Sequence, residues 1–337
     1  MPRIREREPK PAWTEVPVSV RGEAERRLGS RVVRATRAYG GYAASATFRL
    51  VLANGRRAFF KAGYPPPPGS AAIFPIDREE KRYRALEKIA GRWMPKQYGS
   101  FKKDEWHVLL MEDLGPATIP PWSMDKMRRA ARSFARFHRA TVGASLPRFL
   151  PRTEHVEFSG FWDRLRRRGA LPDTAELARG REDEAREWLD VALPVFLERE
   201  RDLTRARRPF ALLHFDTRSD NIRLVGDRLL MFDWPFASVG PAEFDAVAFA
   251  QGVAAEGGPT PERVLDCYEE VLPLRPREVD ASIAGIAGYF ADRAPRPPMP
   301  GLPRIRSIQR RQLKATLAWA TRRFGLPQAE WLERIAD

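Results

Sequence analysis

Length, composition and charge limit what this chain of 337 residues can be. Its single cysteine, Cys267, excludes an internal disulfide and a cysteine-based metal site, and it favours a reducing, cytoplasmic location. The chain lacks an uninterrupted run of about 18 apolar residues, and its charged, proline-bearing start does not resemble a signal peptide, so we expect neither a membrane span nor export. The formal net charge of +15 leaves nucleic acid, an anionic surface or an acidic substrate as partners to consider.

The first part of the chain predicts a small lobe of strands. A helix is expected around Val20 to Leu28, and period-two alternation from Ser45 to Leu52 predicts a strand. The dipeptide Asn54-Gly55 then favours a type I′ turn, in which both residues have positive φ, and a return strand from Arg56 to Lys61.

A helix and two more strands complete this lobe. Asp77 with Glu80 three residues later predicts a capping box at the start of a helix that runs to about Ile89. Strands are expected at 96–101 and 106–111.

After residue 114 the pattern becomes helical. Amphipathic periodicity predicts helices around 124–139, 182–197, 261–271 and 309–324, and the prolines of 295–303 predict a loop. We therefore expect an α+β chain of two lobes, one over residues 1–114 and the other over residues 115–337.

One island of strand pattern, residues 211–234, interrupts the helical lobe. Asp216 follows its first strand, Asn221 comes five residues later, and Asp233 closes a pair of short strands around Gly226-Asp227. If those two residues form the loop, Asn221 and Asp233 occupy diagonal positions about 7–8 Å apart. An amide oxygen and a carboxylate at that spacing suit Mg²⁺, and Asp216 is placed to accept a proton.

The motifs in this island resemble the signature of the aminoglycoside phosphotransferase and choline kinase-like family, which has a bilobal protein-kinase-like fold. The resemblance lies in His214-Phe215-Asp216, Asn221, Phe232-Asp233-Trp234 and Gly240 to Asp245. It implies that Asp216 is the catalytic base, that Asn221 and Asp233 are magnesium ligands, and that Asp245 is structural.

The resemblance also implies a lysine and a glutamate that hold ATP phosphates in a nucleotide-binding first lobe. Lys61 ends an apolar strand, where an unpaired ammonium would be costly. Helical spacing places Glu79 on the face of Tyr83, whereas Glu80 is assigned to the cap, so we expect the pair Lys61–Glu79.

Further nucleotide contacts follow from the same resemblance. Gly40, Gly41 and Ser45 lie where the family has a phosphate-covering loop, and Met111, Glu112 and Leu114 lie where its backbone binds adenine. For the side chains of these last three, a simple linker role is an equally economical interpretation. His138 is interpreted as a packing residue.

Arg218, two residues after the base, allows two interpretations. Its cation could contact the transferred phosphate as part of the catalytic set, or it could pair with an acid. The sequence does not decide between them.

The predicted function is an ATP- and magnesium-dependent phosphotransferase that acts on a hydroxyl of a small molecule, of antibiotic, sugar or amino-alcohol type, as a monomer or homodimer. One alternative is a regulatory protein that binds nucleotide without turnover. Another is a nucleic-acid-binding protein, because residues 293–323 carry nine Lys or Arg and no Asp or Glu. We do not expect nucleic acid to be the primary partner, and we predict that the stretch from Arg304 to Arg311 lies near the acceptor.

Overall fold

The computed structural model describes residues 10–39, 45–65, 76–153 and 159–336. The chain divides into two compact units, and both continue at several places in the sequence. The first unit comprises Met1–Ala117, Leu230–Pro235 and Pro298–Ile305, and the second comprises Thr118–Leu229, Phe236–Pro297 and Arg306–Asp337. The predicted division into residues 1–114 and 115–337 stays a prediction. Two later segments, 230–235 and 298–305, group with the first unit.

The first unit contains a five-stranded antiparallel sheet in the order β1-β2-β3-β5-β4. Its strands are β1 (Val32–Arg37), β2 (Ala46–Leu52), β3 (Arg57–Gly63), β4 (Gln97–Lys103) and β5 (Trp106–Met111), and its helices are α1 (Val18–Leu28) and α2 (Ile76–Ala90). The predicted strands and helices of this region are thus confirmed, with ends that shift by a few residues.

The turn between β2 and β3 differs from the predicted type. Gly55 has φ of 80°, but Asn54 does not have positive φ, so the turn is not type I′. Instead, Gly55 donates its amide to Leu52 O at 2.9 Å, and Asn54 Oδ1 accepts from the Arg56 amide at 3.1 Å. The asparagine side chain stabilises the turn without itself entering the left-handed region.

Alternation along β3 directs successive side chains to opposite faces of the sheet. Phe60 and its neighbours at even positions pack with Val20, Ala24 and Leu28 of α1, which recur every four residues on one side of that helix. Lys61 therefore points to the opposite face of the sheet, where α2 lies.

The predicted capping box of α2 is wrong. The helix already includes Asp77 in its first turn, and the Glu80 carboxylate instead contacts Ser100 Oγ at 2.5 Å and His107 Nε2 at 2.6 Å on β4 and β5. Because these partners are fixed by the sheet, Glu80 ties the outer side of α2 to the strands.

The second unit is mainly helical. Its helices are α3 (Met124–Thr141), α4 (Phe161–Arg167), α5 (Leu171–Ala175), α6 (Glu182–Glu200), α7 (Ala242–Ala255), α8 (Pro261–Glu269), α9 (Pro276–Arg293) and α10 (Ile305–Phe324), the last of which begins in the first unit. Short strands β6 (Ala211–Leu213) and β9 (Ser238–Gly240) pair antiparallel, and β7 (Ile222–Val225) and β8 (Arg228–Met231) lie between them in sequence. Across the described part of the chain, no helix has both the length and the apolar run that a bilayer crossing requires.

Candidate active site

The first cluster of predicted site residues lies within the first unit. Lys61 on β3 places its ammonium nitrogen Nζ 2.7 Å from Glu79 Oε2 on α2 and 2.9 Å from Asp233 Oδ1, just beyond β8. The Lys61 and Glu79 side chains are buried, whereas that of Asp233 is 26% exposed. One cation thus bridges two carboxylates from distant parts of the sequence.

The position of Glu79 follows from helix geometry. Glu79, Tyr83, Leu86 and Ala90 are all buried along one face of α2, at the expected spacing of three to four residues. A charged residue on this face must find a partner, because an unpaired buried charge is costly. Lys61, on the strand face that α2 covers, is that partner.

The cluster carries one more negative than positive charge. Burial by itself would lower the pKa of Lys61, but the carboxylates of Asp233 and Glu79 outweigh it and raise that pKa above its ordinary value. Burial raises the pKa of Glu79, Lys61 opposes this, and Asp233 adds to it. Lys61 therefore remains charged at neutral pH.

Asp233 is held in a strained backbone conformation. Its φ is 65°, in the left-handed region that residues with a side chain rarely adopt. It also lies after the end of β8, and Asn221 lies in a 3-10 turn before β7. The predicted diagonal pairing within a strand ladder is therefore wrong, since neither residue occupies a ladder position.

The second cluster lies within the second unit, in the loop after β6. Asn221 Nδ2 donates to the main-chain oxygen of Asp216 at 3.0 Å and to its Oδ2 at 2.8 Å. Since both amide hydrogens point toward Asp216, the other side of the group presents Asn221 Oδ1 as an acceptor. This oxygen is suited to a cation.

Arg218 pairs with acids in this loop, one of the two roles that the sequence allowed. Its Nε lies 2.9 Å from Asp216 Oδ1 and 3.5 Å from Asp220 Oδ1, and its guanidinium also donates to Asp216 Oδ2 at 3.1 Å. The fork geometry fixes the orientation of the Asp216 carboxylate.

The loop is anchored to α7 by Asp245. The buried Asp245 carboxylate accepts the amides of His214 at 2.6 Å and of Phe215 at 3.0 Å. Phe215, with φ of 70°, is strained, and its ring stacks on Phe244 at 4.8 Å. These contacts hold the residue before Asp216 in an unfavourable conformation, as expected where backbone geometry serves a site.

His138 is buried behind this anchor. Its Nδ1 lies 2.7 Å from Tyr268 Oη, and its Nε2 lies 3.4 Å from Asp245 Oδ2. The side chain thus supports Asp245 from α3, in keeping with a packing role.

Sequence reasoning missed one polar link to the loop. Ser219 Oγ donates to Glu256 Oε1 at 2.5 Å, and Trp122 Nε1 donates to the other oxygen of the same carboxylate at 2.7 Å. Glu256 lies at the end of α7, separated by 37 and 134 residues from these partners, so no local motif could have revealed the contact.

The other residues predicted to contact the nucleotide precede β2 or lie at the end of β5 and just after it. Gly40 and Gly41 lie outside the described residues, and Ser45 is buried directly before β2. Met111 ends β5 and is buried, and Leu114 is half-buried. The amide of Glu112 is already used, since it donates to Lys96 O at 2.8 Å.

Asp113, beside these residues, was not predicted as a contact. Its carboxylate accepts the Gly115 amide at 3.0 Å and lies 3.6 Å from both Arg49 and Arg57. Asp113 therefore fixes the chain where it leaves the sheet.

Each cluster contains an oxygen donor of the kind that Mg²⁺ accepts. The second has the amide oxygen of Asn221, and the first has the partly exposed Asp233 carboxylate; Mg²⁺ prefers such hard oxygen donors together with water and phosphate oxygens.

A comparison with known protein families identifies the family of this chain. The model of the phosphotransferase enzyme family (APH) matches residues 35–279. A comparison with curated protein sequences finds no match.

Solved structures show the fold. A fructosamine-3-kinase candidate from Thermobifida fusca has 22% identity and a TM-score of 0.54, covering 90% of this chain and 99% of its own. An aminoglycoside phosphotransferase from Alicyclobacillus acidocaldarius has 14% identity and a TM-score of 0.59, covering 90% and 91%. A spectinomycin phosphotransferase in complex with ADP and spectinomycin has 12% identity and a TM-score of 0.59, covering 90% and 98%. The chain has the protein-kinase-like fold of these proteins and belongs to the phosphotransferase enzyme family.

Proposed function

We propose that this protein transfers the γ-phosphoryl group of ATP, with magnesium, to a hydroxyl group of a small molecule. The observation that carries the proposal is the buried Lys61 ammonium held between Glu79 and Asp233. A lysine fixed by one carboxylate beside a second, partly exposed one is the arrangement that phosphoryl transfer uses to hold a nucleotide and its metal. Family membership supports the reaction class.

The nucleotide would bind through Lys61 and the chain after β5. Lys61 would contact the α- and β-phosphates while Glu79 keeps it in place. An adenine edge offers one donor and one acceptor, and the Glu112 amide is already bonded to Lys96, so we assign the Glu112 carbonyl and the Leu114 amide to adenine, next to Met111. Gly40, Gly41 and Ser45 would cover the phosphates. The ADP complex of the spectinomycin phosphotransferase supports nucleotide binding by this fold.

Asn221 and Asp233 would hold the magnesium ion, with phosphate oxygens and water completing its shell. Bound there, the metal would neutralise the charge that develops on the phosphates. The Asn221 amide has a second task, because its hydrogens keep Asp216 in place.

Asp216 would act as the catalytic base. The acceptor oxygen forms a bond to the γ-phosphorus as the bond from that phosphorus to the bridging oxygen breaks, and ADP leaves with the bonding electrons. The hydroxyl proton passes to the Asp216 carboxylate and then to solvent. Arg218 would orient this carboxylate through its paired hydrogen bonds.

Two other functions compete with this proposal. A regulatory protein that binds nucleotide without turnover would not need Asp216, Asn221, Lys61 and Asp233 together, yet all four are present. A nucleic-acid-binding role rests on the basic segment 293–323, but Arg322 pairs with Glu262 at 2.9 Å and Arg323 with Asp280 at 2.8 Å. Other elements thus neutralise part of that segment.

The test is ATP consumption with a library of hydroxylated sugars, amino alcohols and antibiotics, with and without magnesium. We expect at least one acceptor to be phosphorylated, and only when magnesium is present. ATP binding without turnover of any acceptor would favour the regulatory alternative. Salt-sensitive binding of RNA or DNA without ATP, again without turnover, would favour the nucleic-acid alternative.

A further inference from the structure

An excess of arginine surrounds one carboxylate at the end of α9. Asp292 Oδ2 lies 2.6 Å from Arg296 and 3.4 Å from Arg293, and Asp292 Oδ1 contacts Arg168. Three guanidinium groups therefore share a single buried carboxylate.

Arg306, at the start of the second-unit part of α10, adds a fourth cation. It donates to Pro297 O at 2.9 Å, to Arg293 O at 3.1 Å and to Gln309 Oε1 at 2.8 Å. These partners are neutral, and within the described part of the chain Arg306 has no carboxylate partner. The four arginines and Asp292, here called the arginine cluster, carry an excess of three positive charges.

This excess is only partly exposed to water. Arg293 and Arg306 are half-buried, and burial together with repulsion from Arg296 and Arg293 lowers the pKa of Arg306. Repelling cations held close together are relieved by a bound anion. Guanidinium groups match carboxylate and phosphate oxygens well, because their donors are arranged as a planar fork.

Tyr289 connects the arginine cluster with the catalytic loop. Tyr289 lies one turn before Arg293 on α9. The Arg293 guanidinium is 5.7 Å from the Tyr289 ring centroid. Its phenol is also within electrostatic range of Asp216, Arg218 and Arg306, all in the same unit. Charges of both the arginine cluster and the Asp216 loop therefore act on the Tyr289 phenol, so the two groups flank this side chain within the second unit.

We propose that the acceptor is a small hydroxylated molecule that carries a carboxylate or a phosphate group, and that Arg306 and Arg293 bind this group while Asp216 receives the hydroxyl proton. The proposal rests on the proposed function, which it deepens by naming the charge of the substrate.

The first test measures anion binding without phosphoryl transfer. Thermal unfolding of the ADP-bound protein is followed with increasing inorganic phosphate, against chloride of equal ionic strength. We expect phosphate to raise the melting temperature more than chloride does, and Arg306→Gln to lose this difference. Arg306→Lys, which keeps the charge, should retain most of it, and Arg322→Gln, a change at a surface ion pair on the same helix, should retain all of it. An equal phosphate effect in Arg306→Gln, or no phosphate effect in the natural protein, would overturn the arginine cluster as an anion site.

The second test uses matched acceptors: glucose, glucosamine, glucuronate and glucose 1-phosphate, with glycerol, ethanolamine and glycerate. We expect the fastest turnover with the anionic members of each set. Comparison of glucuronate with glucose 1-phosphate shows whether a carboxylate or a phosphate is preferred.

Arg306→Gln should raise the KM of the best acceptor roughly tenfold or more, the loss expected for one charge-assisted hydrogen bond, and leave the KM of ATP unchanged. A neutral or cationic acceptor as the best substrate would overturn this inference and leave the proposed function standing. Phosphate binding at Arg306 without turnover of any acceptor would support the anion site and count against the proposed function.

Discussion

The Glu79 carboxylate lies 2.7 Å from the Lys61 ammonium, while Glu80, the next residue on α2, faces away toward His107. These neighbouring glutamates form a matched pair for mutation. Glu79→Gln should weaken ATP binding roughly tenfold, because Lys61 loses one of the two charges that hold it in place. Titration calorimetry with ATP and magnesium measures this effect. Glu80→Gln should leave the affinity unchanged, and an equal loss in both variants would mean that α2 is merely destabilised.

Asp233→Ala tests the metal site. The variant removes the charged oxygen ligand proposed for magnesium, so ATP affinity should no longer increase when magnesium is added. Calorimetric titrations with and without magnesium provide the comparison, with Asp227→Ala in the Gly226-Asp227 turn as a control. A magnesium effect of normal size in Asp233→Ala would rule out this ligand.

Asp216→Asn separates catalysis from binding. The asparagine side chain cannot take up the proton of the substrate hydroxyl, so turnover should fall roughly 100-fold or more. ATP affinity should stay nearly constant, because Asp216 is not proposed to bind ATP. Steady-state phosphorylation and ATP titration give the two quantities. Phosphorylation at the natural rate would show that Asp216 is not the base.

Glu200 gives the protein a pH-dependent stability. Its buried carboxylate accepts the Phe161 amide at 2.7 Å at the start of α4, and burial raises its pKa from 4.5 to about 7 despite this hydrogen bond. Because the folded state holds the proton more tightly, the stabilisation is complete below pH 4.5 and is lost as the pH rises through 7. Between pH 5 and pH 8 the free energy of unfolding should therefore fall by up to about 3 kcal/mol from this group.

Glu200→Gln should flatten that dependence, since the amide keeps an acceptor for Phe161 and does not titrate. Urea unfolding at several pH values measures the slope, and Glu198→Gln, an exposed residue of the same helix, serves as the control. Equal slopes in all three proteins would mean that the Glu200 pKa is close to its ordinary value.

The sequence predicted best those elements whose two faces differ. Alternation revealed β2 and an amphipathic stripe revealed α3, because each buries one side more fully than the other, whereas β3 was predicted as the return strand after Asn54-Gly55. Helices α7 and α9 were not predicted. Both are buried on most sides, so their own sequences show little alternation between apolar and polar residues.

Within the site, local spacing in the sequence predicted which residues lie together, whereas contacts between distant segments could not be predicted. The helical face of α2 distinguished Glu79 from Glu80, and the residues around Asp216 were found by their motif. The strand-ladder argument for Asn221 and Asp233 failed because the polypeptide leaves regular strand geometry at both residues. The hydrogen bond from Ser219 to Glu256 depends on where the end of α7 lies in the folded chain. A residue pattern within one segment cannot predict that position.

The strained Phe215 has a consequence for how the loop that contains Asp216 responds to heating. Its amide bond to Asp245 and its stacking on Phe244 both come from α7, which is buried along most of its length. The loop cannot relax one residue before Asp216 unless α7 also loosens, so the geometry of this loop belongs to the same cooperative unit as the helical core of the second unit. On heating, this loop should therefore lose its conformation together with the main unfolding transition of the second unit, without an earlier state that keeps the helices and has a disordered loop.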